Sequence, residues 1–191
     1  VCRMRFSPVM TFINKCDREG REPIDLLDEI ENRLKVKVCP ISWPLGLGKR
    51  FKGVYHLYDQ KLVLFKAHTK ADNDIIEVNG LDDPILKDIA GIDYESFCEE
   101  VEMIQGVYSS FDVNDYLSGK VTPVFFGSAL NNFGVKELLD FFVEHAPPPQ
   151  DREIDGESIP VLTDSFSGFI FKIHANIDPK HRNRLAFLRV C

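Results

Sequence analysis

Two stretches of this chain repeat one design: an apolar run of strand-forming residues, a polar loop, and an amphipathic helix. The first is VMTFI (residues 9–13), followed by NKCDREG (14–20) and then by Ile24, Leu27, Ile30 and Leu34 at helical spacing. Pro23 stands where a first helical turn tolerates it. The second is TPVFF (122–126), GSALNNFG (127–134), and a helix with Val135, Leu138, Leu139 and Phe142 on one stripe. Short continuous apolar runs suit strands covered on both faces. Two strand–loop–helix halves predict an α/β fold with a parallel sheet between helices. Such sheets bind ligands beyond the carboxyl ends of their strands, where NKCD and GSAL both fall.

The interval from Asn14 to Ser128 is several times the ~30 residues of a whole βαβ unit. An α+β subdomain inserted over about residues 37–120 is therefore expected. Its predicted contents are an extended segment (36–41), a hairpin over 51–66 turning near Asp59 and Gln60, and a helix carrying Phe97, Val101 and Ile104. Residues 1–146 then form one domain. The proline-rich, acidic APPPQDREIDGESIP (146–160) suits neither helix nor sheet interior, so 147–162 reads as a linker. Beyond it, Phe169, Phe171 and Ile173 alternate, and an apolar segment follows from Leu185, as in the opening strands of an all-β domain over 163–191. The chain opens on Val1 and stops at Cys191 inside a predicted strand, which suggests an internal fragment with that last domain cut short.

Composition narrows the chemistry. With 44% hydrophobic and 28% charged residues, the chain is of ordinary globular type. No apolar stretch approaches the ~18 residues needed to span a bilayer, and no leader pattern opens the chain, so a cytoplasmic protein without membrane partners is expected. The five cysteines are scattered without a CxxC pair, and His174 and His181 belong to no HExxH, which argues against disulfides and a metal site. A net charge of −7 disfavours direct DNA binding.

The chemistry rests on NKCD. Guanine presents N1–H and a 2-amino group on one edge, and a single carboxylate such as Asp17 accepts from both. Adenine would leave that carboxylate unpaired, at ~1–3 kcal/mol. Asn14 can brace the loop, and the alkyl stem of Lys15 can lie along the base. In GSAL, the Ala129 N–H is expected to donate to guanine O6, with Ser128 shaping the turn and Leu130 completing the segment. The bland alternative is a pair of polar turns after strands. No catalytic residue and no metal ligand is assigned.

Several features are decoys or ambiguous. Gly46-Leu47-Gly48-Lys49 invites a phosphate-loop reading, but Trp43 stands at the required first glycine and Arg50 replaces the Ser or Thr that would ligate magnesium. A turn before the hairpin fits better. Asp17–Gly20 and Asp88–Gly91 satisfy DxxG literally but fall too late in the strand order to be a switch. The basic loop of residues 179–184 is as readily a solvated connection as an RNA contact. Trp43, Phe51, Tyr55 and Tyr58 are assigned to a small core. Cys16 and His174 are read as structural.

The segments FINKCD (12–17) and GSAL (127–130) resemble the base-recognition motifs of translational GTPases. The long interval between them resembles the insertion of elongation factor G and of the bacterial release-factor GTPases. ISWPLGLGKRFKGVYHLY (41–58), VTPVFFGSALNNFGV (121–135) and GFIFKIHANIDPKHRNRLAFLRV (168–190) favour the latter. The resemblance implies the carboxyl-terminal half of a P-loop GTPase domain followed by the first strands of a β-barrel. It also implies GTP/GDP as ligand, with Mg2+ in a longer parent. The implied partners are the ribosome and the class I release factors ejected after peptide release. The family's GxxxxGK[ST] loop, switch threonine and DxxG–His segment have no matching position, and are expected upstream of Val1, so the fragment alone is expected to be inactive. Competing readings are an elongation factor G-type translocase, a non-catalytic ribosome- or protein-binding module with a vestigial loop, and, last, a dinucleotide enzyme, for which no GxGxxG follows a strand.

Overall fold

The computed structural model describes residues 7–65, 74–148, 151–154, 157–160, 166, 168–175 and 184–190. The chain divides into two compact units, Val1–His145 and Ala146–Cys191.

The first unit is organised around a three-stranded parallel sheet. Its central strand, β7 (Val121–Phe126), lies between β1 (Thr11–Ile13) and β2 (Lys37–Pro40). Both predicted strand–loop–helix halves are present. Pro23 opens α1 (Pro23–Leu34), and Lys35 ends it in the left-handed conformation, its N–H bonded to the Glu31 carbonyl. The Glu31 carboxylate accepts from the Val38 N–H at 2.9 Å and so ties the helix end to β2. In β7, Pro123 has no N–H to donate. The buried Thr122 hydroxyl acts as donor instead, meeting the Val9 carbonyl at 2.7 Å.

Successive β7 side chains point to opposite faces and seed two cores. Phe125 joins Cys39 and Ile41 on the face covered by Leu138 and Phe141 of α5 (Val135–His145). Val124 and Phe126 join Leu27, Val38 and Trp43 on the other. The second core continues through an antiparallel four-stranded sheet: β3 (Ser42–Leu45), β4 (Gly53–His56), β5 (Lys61–Leu64) and β6 (Asp74–Glu77), paired in chain order. Against it lie α2 (Pro84–Ala90) and α3 (Tyr94–Val107), which bury Leu86, Phe97, Val101 and Ile104. A short helix, α4 (Val113–Leu117), precedes β7. Asp112 caps it through the Asn114 and Asp115 amides.

Three expectations need correction. Residues 37–40, placed at the start of the expected insertion, belong to the parallel sheet, because the β2 ladder with β7 begins at Lys37↔Val121. On α5 the stripe is rotated. Leu138, Phe141 and His145 pack inward against Phe125 and Phe111, while Leu139 and Phe142 are exposed by more than half. A helix apolar on most of its circumference gives no unique periodicity, and the aromatic partners decide. Trp43, Phe51 and Tyr55 are buried as expected of a core, whereas Tyr58 is half exposed. The Trp43 indole N–H donates to Glu100 at 2.9 Å, and its ring meets Phe126 edge-to-face at 5.3 Å.

In the second unit, the expected linker carries two short antiparallel strands, β8 (Arg152–Ile154) and β9 (Glu157–Ile159). β10 (Gly168–Ala175) and β11 (Arg184–Val190) form an antiparallel ribbon with a register shift between Ile170 and Lys172. The basic loop lies outside the described residues except for Arg184. Among the described residues, no helix is long and apolar enough to cross a membrane.

Phe126→Ala is expected to cost about 3–5 kcal/mol in urea unfolding and to red-shift emission from the chain's one tryptophan, Trp43. Leu139→Ala on the exposed side of α5 is expected to stay within about 0.5 kcal/mol. Equal costs for the two would overturn the packing assignment.

Candidate functional site

The site begins where two parallel strands end together. Ile13 of β1 pairs with Phe126 of β7, so the chain leaves both strands side by side. One residue on, the Gly127 N–H donates to the Ile13 carbonyl and the Cys16 N–H to the Gly127 carbonyl, both at 3.0 Å. The NKCD and GSAL loops are thereby joined backbone to backbone. This crossing demands glycine. A Cβ on Gly127 would lie 2.8 Å from Phe12 Cζ and 3.2 Å from Gly134 Cα. Gly134, at φ +75°, closes the second loop, and Ser128 and Phe133 exchange two backbone hydrogen bonds of 3.0 Å across it.

On this frame the side chains converge. Asn14 Oδ1 accepts from the Lys15 N–H within its own loop and from the Ala129 N–H of the other, each at 2.8 Å. Lys15 holds a left-handed backbone at φ 71°. Asp17 is half-buried, and its Oδ2 accepts from Asn131 Nδ2 at 3.3 Å. The same Nδ2 donates to Ser128 Oγ at 2.9 Å. Ser128 is buried, while Asn14, Lys15, Ala129 and Leu130 face solvent, Leu130 with 78% of its surface. Asp17 Oδ1 accepts no hydrogen bond among the described residues.

All six residues singled out in the sequence therefore lie on two adjoining loops. The Ala129 N–H, expected to face a ligand, instead donates to Asn14, since the carboxamide of the neighbouring loop is the nearest acceptor. Asn131 was missed. Its signal was its place three residues after Ser128 in a tight turn, Ala129–Asn131, where an asparagine side chain bonds back onto local polar groups.

Cys16 is structural, as its lack of a partner in sequence suggested. Burial pushes its thiol up to about 11, and Sγ donates to the Ile13 carbonyl at 3.6 Å. The decoy glycine turn also finds its use. The Gly48 N–H donates to the Cys16 carbonyl at 2.9 Å, so GLGK backs the NKCD loop. Gly48 has φ +58°, and a Cβ there would run into the Glu19 carboxylate.

The two loops together present an exposed polar surface around Asp17. It offers an acceptor-only carboxylate beside a frame whose own polar groups are mutually bonded, which suits a ligand edge with adjacent N–H donors. Among the described residues, no group of three or more His, Cys, Asp or Glu is placed to hold a metal ion.

Comparison with known proteins places the chain in a family and a fold. The family described as "Elongation factor Tu GTP binding domain" matches residues 1–148. A crystal structure of a protein from Thermus thermophilus superposes over 98% of this chain with a TM-score of 0.60 at 22% sequence identity, a likeness of fold. The chain spans 28% of the length of that protein.

Gly127→Ala is expected to destabilise the first unit by about 1–3 kcal/mol, because both backbones at the crossing must move apart. Gly20→Ala, where an added Cβ meets nothing closer than 3.9 Å, serves as the control and is expected to stay within about 0.5 kcal/mol. Urea unfolding of both variants checks the pair.

Proposed function

This chain belongs to the elongation factor Tu GTP-binding domain family, and from that premise we propose that its two converging loops are the base-reading half of a guanine-nucleotide site. The observation that carries the reading is the double link between the loops. Asn131 joins Asp17 to Ser128, and Asn14 joins the first loop to Ala129. Asp17 accepts from N1–H and the 2-amino group, one on each oxygen, with Oδ2 shared with Asn131. Lys15 lays its stem along the base, and Leu130 shields the edge. The Ala129 N–H moves from Asn14 to guanine O6, or is shared between them. These residues bind and orient; hydrolysis and magnesium binding belong to the phosphate-side motifs that residues 1–191 do not contain.

For the longer parent we infer a translation-termination GTPase of the release factor 3 type. It acts on the ribosome and promotes release of class I release factors. The stretches 41–58, 121–135 and 168–190 support this branch, and the elongation factor G-type translocase shares the same base pocket. The sheet β3–β6 with α2 and α3 is read as the inserted subdomain, and the β10–β11 ribbon as the start of a β-barrel.

Asp17→Asn tests the base site. An amide donates to the second carbonyl of xanthine where the carboxylate accepted from guanine. In the longest form of the protein that turns over GTP, the variant is expected to lose at least about tenfold in GTP affinity and to gain for XTP. An unchanged GTP to XTP ratio would show the loop to be vestigial. Ribosome assays then separate the branches: ejection of a bound class I factor supports termination, and tRNA movement supports translocation.

A further inference from the structure

A second cavity lies in the first unit, between α5 and the β4–β5 hairpin, with a volume of about 520 Å³. It shares no lining residue with the NKCD or GSAL loops. Its walls are largely apolar, built from Ile41, Val63, Ile75, Phe111, Phe125 and Phe141. Polar residues complete the lining, and two of them carry unpaired atoms. His56 Nε2 and Glu137 Oε2 are both buried, and neither has a hydrogen-bond partner among the described residues. A buried polar atom left unpaired costs ~1–3 kcal/mol, so two lining one cavity call for an explanation.

Charge defines what would satisfy them. The rim holds four carboxylates, Asp59, Glu137, Asp140 and Glu144, against two ammonium groups, Lys61 and Lys136. Lys136 already pairs with Asp140 at 3.1 Å. Burial holds the His56 imidazole below its ordinary range, against the pull of Glu137 and Asp59, so at neutral pH it is uncharged and can offer a lone pair. A carboxylate accepts at both oxygens, and a neutral imidazole accepts at Nε2 when its proton sits on Nδ1. A size of this order, with an aromatic and aliphatic wall beside a charged rim, suits a small organic molecule.

We propose that this cavity binds a small organic cation, an amidine or amine carried on an aryl or alkyl body. The planar N–H fork of an amidinium meets Glu137 and spends a further N–H on His56, while the hydrophobic body fills the space between Phe125, Phe141 and Val63. The site stands apart from the proposed base pocket, so either can fail without the other.

Benzamidine, with benzoate as its anionic counterpart, tests this by calorimetric titration of the full chain. Benzamidine is expected to bind one to one, with benzoate at least roughly tenfold weaker. Glu137→Gln, which keeps shape and removes charge, is expected to weaken benzamidine by a similar factor at unchanged melting temperature, while Asp17→Asn leaves it alone. The affinity is also expected to fall as pH drops below the ordinary imidazole value of 6.5, as His56 gains a proton and stops accepting. Glu137 on α5 and Asp59 and Lys61 on the hairpin act on it, and Lys136, Asp140, Glu144 and His145 on α5 share the cavity. Equal binding of benzoate, an unmoved Glu137→Gln titration, or no binding by about 10 mM would overturn the proposal, the last showing a cavity filled by water alone.

Discussion

The structure of the candidate site depends on one backbone crossing. Gly127 passes between Ile13 and Cys16 on one side and Phe133 and Gly134 on the other, bonded to the first pair at 3.0 Å and in contact with the second. Parallel pairing of β1 and β7 brings the two loops to the same edge, but pairing alone leaves them free to diverge. The crossing removes that freedom. With it in place, Asn14 reaches the Ala129 amide and Asn131 reaches Asp17 without long flexible side chains spanning a gap. Short polar residues fixed by backbone hydrogen bonds lose little entropy on binding, which is the condition for selecting one base edge over another.

Burial around the crossing separates two tasks. Cys16 and Ser128 point inward and hold the loops; Asn14, Lys15, Ala129 and Leu130 point outward. Asp17 stands between them, half covered, with one oxygen held by Asn131. A carboxylate so placed is oriented by the protein yet keeps an acceptor for a ligand. The Gly48 turn reinforces this from behind, its N–H on the Cys16 carbonyl.

Much of this was legible in the sequence, for reasons that differ from element to element. NKCD and GSAL were readable because loops after parallel strands must carry their chemistry in local, short side chains, and the flanking Val9–Ile13 and Thr122–Phe126 runs announced buried strands. The hairpin turn at Asp59 and Gln60 was readable too, and Gln60 takes the left-handed backbone a tight turn requires. The face of α5 was not, because Leu138, Leu139, Phe141, Phe142 and Val143 offer apolar surface in nearly every direction. Only Phe111 and Phe125, distant in sequence, decide which of them turn inward. Lys37–Pro40 failed for a related reason: an extended segment does not name its partner strand. Asn131 was hidden in plain view, since its role depends on a turn that folds it back over Ser128.

The cavity beside α5 shows the same limit from another direction. His56 and Glu137 are far apart in sequence and belong to no motif, and each alone reads as an ordinary surface residue. Their juxtaposition follows from how α5 lies across Phe125 and Phe141, so it exists only at the level of packing. The base reading proposed for the two loops is encoded locally, in short side chains that the backbone crossing holds together. A site made by helix placement is different: it moves with every change in the aromatic contacts that set the helix. The packed rings of Phe111, Phe141 and His145, with centroids 4.2–5.0 Å apart, are therefore as much a part of that cavity as the two groups that line it.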